Sequence, residues 1–259
     1  MPSVRILGGC GTMSKYYIKM LAALIAAAFI AGSVYGAGES LAFSDWETVK
    51  MKINMETFNE FYNLMTENFT DAKFEGNIKQ TVNGAFMESK FTAYSKDLNY
   101  KRIDVVSYGD KFSHVTTPDM VWYYFEKENY VIYYADKKNV ARFNSKVYFD
   151  SVKDDGKIAK TYSDGNIIYK LLDYKYNIKQ TFVFDGKSGK LALQLVEPDG
   201  GEKIETTYKG WEKISTPKDL FSFPSRAKSK CLDQSARPLS NTTRMGANPY
   251  GGNFGRFHR

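Results

Sequence analysis

The chain has 259 residues, a net charge of +7 and an aromatic share of 15%, mostly Tyr and Phe. That length can bury a core, and the aromatic share favours β structure. The charge is not a nucleic-acid signal: residues 1–36 carry +3 and residues 226–259 carry +6, which leaves −2 for residues 37–225, whereas phosphate binding needs cations clustered on the folded part.

Lys15 and Lys19 precede the apolar run Met20–Val34, which is followed by Tyr35-Gly36-Ala37. A basic stretch, a short hydrophobic stretch and small residues at Val34 and Gly36 form the pattern of a secretory signal peptide over 1–36. The fifteen apolar residues are few for a membrane span of about 20. Residues before Met13 add nothing to the pattern, so Met13 is an alternative start. After the run only Cys231, His114 and His258 remain, too few for an intrachain disulfide, a zinc cluster or a Ser-His-Asp assembly with a choice of His. No catalytic residue, metal or cofactor is expected. His114 falls in the predicted strand Lys111–Thr117, where a structural role is the simpler account, and Asp154-Asp155 is read as a turn former.

Ser44-Asp-Trp-Glu47 has the spacing of a capping box. Phe58, Phe61, Tyr62, Met65 and Phe69 then recur at helical intervals, which predicts an amphipathic helix ending near Asn68. From Ala72 onward the predicted strands are short: Lys73–Val82, Phe86–Tyr94, Tyr100–Ser107, Lys111–Thr117, Met120–Phe125, Tyr130–Ala135, Lys157–Tyr162, Ile167–Leu172, Ile178–Phe184, Leu191–Glu197 and Glu202–Trp211. Asn83-Gly84, Asp155-Gly156, Asp164-Gly165, Asp185-Gly186 and Asp199-Gly200 accept the positive φ of tight turns. Consecutive hairpins imply an antiparallel meander, and about eleven strands are too many to stay flat. Asp136–Val152 reads as a short lid helix or a loop. Residues 226–259, rich in Ser, Asn, Gly and Arg, read as a basic disordered tail, which leaves 37–225 as the folded domain.

The central stretch is Met120–Tyr134, two aromatic runs around Glu126-Lys-Glu-Asn129, read as a β-hairpin. Alternation places Val121, Tyr123 and Phe125 on one face and Trp122 and Tyr124 on the other, so both faces need cover. Either core packing of the chain closes both, the commoner arrangement for aromatic stripes, or helices of the chain cover one and a ligand the other. The same alternation groups Ile78, Phe91, Ile103 with Val105, Trp122 with Tyr124, Ile132, and Leu191 with Leu193 and Leu195 as the lining of a concave face. A one-residue slip inverts each such assignment.

The order of these features resembles the LolA-like family of periplasmic lipoprotein carriers, over roughly Met55 to Phe223. Phe74-Glu-Gly-Asn-Ile-Lys-Gln-Thr81 is similar to the family's opening strand. Leu98-Asn-Tyr-Lys-Arg102 is similar to the stretch that places an Arg before the next strand, Pro118-Asp-Met-Val-Trp-Tyr-Tyr124 to its Trp-containing hairpin, and Leu220-Phe-Ser-Phe-Pro224 to its closing strand. The chain departs from the family in having Asp119-Met120 for an Asp-Gly turn, Asn99-Tyr100 for an Arg-Pro pair, and the basic tail.

The resemblance implies a mainly β fold in which a curved antiparallel sheet forms an incomplete, half-open barrel covered by a few helices. It implies a monomeric, non-enzymatic carrier in the periplasm. Such a carrier shields lipoprotein acyl chains or other lipid between an inner-membrane transporter and an outer-membrane acceptor. The alternative is a secreted envelope sensor or protein-interaction module on the same fold. Arg102 is the candidate lid latch, because a guanidinium offers several donors to carbonyls at a helix end.

Overall fold

The computed structural model describes residues 53–233 except 83–84, 108, 142, 175–176 and 199–202. The expected signal segment, the Ser44–Glu47 capping box, the tail from residue 234, and the Asn83-Gly84 and Asp199-Gly200 turns lie outside the described residues.

Helix α1 (Met55–Phe69) starts where Asn54 accepts a bond from the Thr57 amide at 3.1 Å, and it buries Phe58, Phe61, Met65 and Phe69. Six strands follow: β1 (Ala72–Val82), β2 (Ala85–Ser95), β3 (Lys101–Ser107), β4 (Asp110–Thr116), β5 (Val121–Phe125) and β6 (Tyr130–Tyr134). The stretch between hairpins is helical, as α2 (Lys137–Ala141) and α3 (Ser145–Asp155), the latter capped by Asn144 through the amides of Lys146 and Val147. Strands β7 (Gly156–Ser163), β8 (Asn166–Asp173), β9 (Ile178–Asp185), β10 (Leu191–Pro198) and β11 (Ile204–Lys213) complete the meander, and a 3-10 turn (Lys218–Phe221) leads to β12 (Lys228–Cys231).

All twelve strands join one unclosed sheet in the order β12-β6-β5-β4-β3-β2-β1-β11-β10-β9-β8-β7. The pairing of β1 with β11 is the seam between the two halves. Curvature follows from the core. In that order β3 and β9 are five strand spacings apart, about 24 Å in a flat sheet, yet Lys101 of β3 and Gln180 of β9 line the same water-sized void. The sheet is therefore curled into an incomplete barrel, with α1 and α3 filling its concave side. Phe61 of α1 lies 4.9 Å from the Phe182 ring and 5.5 Å from the Phe149 ring of α3.

Local chemistry explains most boundaries. Asp164-Gly165 is a two-residue turn with both φ positive, 52° and 77°, between β7 and β8. Asp155-Gly156 is not a turn: Asp155 ends α3 and Gly156 opens β7 directly, in a space where a Cβ would lie 2.5 Å from the Val152 carbonyl. The Asp185-Gly186 loop is longer than a tight turn. The Asp185 carboxylate accepts from the Lys187 and Ser188 amides, and the positive φ falls on Gly189.

Two expectations about the C-terminal part are corrected. Leu220–Pro224 is no strand: it crosses the outer face of the sheet as a strap, placing Phe221 and Phe223 on Val115, Trp122, Val131 and Tyr133. Residues 228–231, which composition assigns to the tail, form β12, parallel to β6. The Asp233 carboxylate then binds the amides of Ala135 and Asp136 and the Asn139 side chain. Lys228 and Ser229 are exposed and Lys230 and Cys231 half-buried, so the strand has no large apolar side chain for composition to show.

Candidate functional site

The concave face, enclosed by the curled sheet and by α1 and α3, is the candidate site. Ile78, Phe91, Ile103, Val105 and Leu191 are buried there with α1 and α3, and Ile132 packs against the same cluster half-buried. The remaining predicted lining residues do not share this face. Trp122 pairs with Val115 and Tyr133, and Tyr124 with Val131, on the convex side. The inward residues of the central hairpin are Val121, Tyr123 and Phe125. The convex side is closed by the strap of the chain itself through Leu220, Phe221 and Phe223, so core packing covers both faces of the hairpin and no ligand is needed there.

Leu193 and Leu195 depart for a different reason. A β-bulge between Leu191 and Leu193 inserts one residue, so Gln194 and Val196 turn inward and the two leucines outward. A second bulge, at Gly210 (φ 63°), turns Trp211 inward, where it stacks on Phe74 at 4.3 Å and donates to the Leu191 carbonyl at 2.9 Å. A bulge breaks the alternation from which the lining was read.

Arg102 lies on the convex face. Its guanidinium meets Asp104 at 2.9 Å and donates to the Leu220 carbonyl of the strap at 3.3 Å, so it fastens the strap and not the lid. The preceding residue, Lys101, is the one that faces inward: it is 2% exposed and bonds Ser145 at the start of α3. Burial pulls the Lys101 ammonium well below its ordinary value, with Asp97 opposing the shift. A second polar chain reaches α3 from the other half of the barrel: Tyr208 donates to Gln194 at 2.8 Å, Gln194 to Gln180 at 2.9 Å, and Gln180 to the Tyr148 hydroxyl at 2.6 Å.

Lys101, Ser145, Tyr148, Gln180 and Gln194, with apolar neighbours that include Met65, Phe69 and Phe149, surround a void of about 10 Å³, room for roughly one water. The interior is thus filled by the side chains of α1 and α3. Beside it, His114 (2% exposed) stacks on Tyr123 at 4.7 Å. Burial and the neighbouring Lys101 lower the His114 imidazole to about 3, so it is neutral, and its Nδ1 and the Tyr123 hydroxyl have no hydrogen-bond partner.

Sequence reasoning missed Lys101, Tyr123, Ser145, Tyr148, Gln180 and Gln194. A signal existed for some of them: Lys101 and Gln180 stand in the inward phase of apolar strands, and polar residues at such positions mark buried polar networks. Among the described residues no three His, Cys, Asp or Glu side chains converge as metal ligands, and no helix is long and apolar enough to cross a membrane.

The sequence matches no protein-family model and no curated protein. Three solved structures illustrate its structural similarities. An uncharacterized conserved protein from Thermus thermophilus is 10% identical, with a TM-score of 0.46, covering 68% of this chain and 99% of that one. A LolA superfamily protein from Nitrosomonas europaea is 9% identical, with a TM-score of 0.39, covering 66% and 98%. A chain of the Pseudomonas aeruginosa MucA/MucB complex is 11% identical, with a TM-score of 0.40, covering 66% and 62%. At these values the likeness is one of general architecture and transfers no residue of the site.

Proposed function

We propose that the protein is a periplasmic carrier that shields the acyl chains of lipoproteins or other lipids beneath the α2–α3 lid. It would take cargo from an inner-membrane transporter and pass it to an outer-membrane acceptor. The observation that carries this reading is how the lid is held. Phe149 and Val152 of α3 sit in the apolar interior, while the polar attachments are Lys101 to Ser145 and Gln180 to Tyr148. An entering acyl chain replaces the apolar contacts of the lid with its own, at about 0.8 kcal/mol per buried methylene. Opening then costs chiefly the polar contacts, each about 0.5–1.5 kcal/mol. Cargo can therefore be bound without being trapped. The secretory pattern of residues 1–36 and the family resemblance support the same reading.

The test is saturable binding of a fluorescent fatty acid by the full chain, purified from a periplasmic fraction in detergent-free buffer, with displacement by lipid. Absence of saturable binding overturns the carrier. The filled interior favours a second reading, an envelope sensor or interaction module whose barrel is only a scaffold. That module would bind no lipid and would instead retain a protein partner on the convex face or the sheet edge.

A further inference from the structure

We propose that Lys101, His114 and Tyr123 form a headgroup site under the lid, which receives the anionic end, carboxylate or phosphate, of a single-chain lipid. The proposal rests on the carrier reading and specifies the class of cargo. The concave side carries the Tyr208–Gln194–Gln180–Tyr148 chain on one half of the barrel, and on the other half these three polar side chains are set side by side on β3, β4 and β5. Lys101 pairs with Thr116 across the ladder, His114 with Ile103 and Tyr123. Lys101 and His114 are thus diagonal neighbours on one face, within reach of a common ligand.

The chemistry of the patch favours an anion. Lys101 carries three donors, the Tyr123 hydroxyl donates, and either imidazole nitrogen donates in the protonated ring. Two of these groups, His114 Nδ1 and the Tyr123 hydroxyl, are buried without a partner, a costly state that a ligand oxygen would relieve. The groups packed around the patch are Thr116, Tyr134, Phe143 and Ser145, with Asp97 acting on Lys101 from the β2–β3 connection. Burial holds the Lys101 and His114 charges down, and a buried anion beside them would restore both.

Leu98, Met65, Phe69 and Phe149 line the water-sized void next to Lys101, and the chain behind the headgroup would lie against them once α3 is displaced. Because Lys101 also holds Ser145, the arriving anion would take the donor that fastens α3. Loading and lid opening would then be one exchange of partners.

The experiment measures binding of oleate, oleoyl lysophosphatidate and oleyl alcohol to the full chain in detergent-free buffer. The readout is the affinity ratio of charged to uncharged ligand within each variant, which cancels any general loosening of the lid. At least one anion is expected to bind tenfold or more tighter than the alcohol, and the tighter of the two identifies the headgroup. Lys101→Met should bring the ratio to about one, and Tyr123→Phe, which removes only the hydroxyl, should lower it severalfold. If Lys101→Met does not fold, Tyr123→Phe decides by itself. Equal binding of all three ligands, or a ratio unchanged in the variants that fold, overturns the headgroup site and leaves the carrier standing. If none of the three binds, the carrier reading fails and this inference with it.

Discussion

Lys101 and Arg102 are adjacent cations with opposite fates, and the difference is the pleat of β3. Arg102 snorkels outward to Asp104 and the strap, half-exposed, where an ion pair contributes about 0–1 kcal/mol. Lys101 is committed to the interior. His114 is in the same position on β4, and its neutral state makes a pH prediction. Its value of about 3 in the folded chain lies below its ordinary 6.5, so between those values the unfolded chain binds more protons. The stability due to neutral His114 is complete above pH 6.5 and is lost as the pH falls toward 3. Urea midpoints measured from pH 7 to pH 4 should fall less steeply for His114→Gln than for the parent, by up to one proton's worth of slope. Parallel profiles would show that the imidazole is not held neutral. The comparison isolates His114 from carboxylates that titrate in the same window.

At the level of elements, the molecule has two covers of different kinds. The strap lies on the convex face through aromatic contacts, with Phe223 at 5.8 Å from Trp122 and 5.4 Å from Tyr133, and β12 blunts the sheet edge at β6. The lid is held inside by the polar pairs on Ser145 and Tyr148, three residues apart on one face of α3. These roles predict a dissociation in amide exchange. Lys101→Met should speed exchange in residues 146–155 by roughly three- to tenfold, the loss of about 0.5–1.5 kcal/mol. Arg102→Leu should instead speed exchange near residues 220–223 and leave α3 unchanged. Faster exchange in α3 for Arg102→Leu would return the latch to the residue first expected.

Across the whole molecule, the β1–β11 seam joins strands about 130 residues apart and sets the curl. Gly76 sits in that seam opposite Phe91 and Tyr208. A Cβ there would overlap the Thr207 carbonyl and lie 2.5 Å from the Phe91 ring, so glycine is what lets the ring lie across the strand on the tight inner side. Gly76→Ala should cost about 1–3 kcal/mol of overpacking, read as a lower urea midpoint with unchanged slope. A midpoint equal to the parent's would mean that the sheet can flatten locally at no cost. Slow folding fits this topology, since the seam forms only after long loops close.

Eleven strands, α1 and the antiparallel order were legible in the sequence because alternation, helical spacing and a turn such as Asp164-Gly165 are local signals. The two faces of the central hairpin were legible for the same reason. Which face is concave was not, because a pleat looks the same from either side until the seam chooses the direction of curl. The bulges at Leu191–Leu193 and Gly210 moved Leu193, Leu195 and Trp211 from the faces that simple alternation assigns. β12 escaped notice because an edge strand can be polar on both faces. The inner site was decided by tertiary structure alone: curling brings Lys101 of β3, Gln180 of β9 and Ser145 of α3 around one void, and local sequence does not encode contacts that depend on closing a sheet over so long a loop.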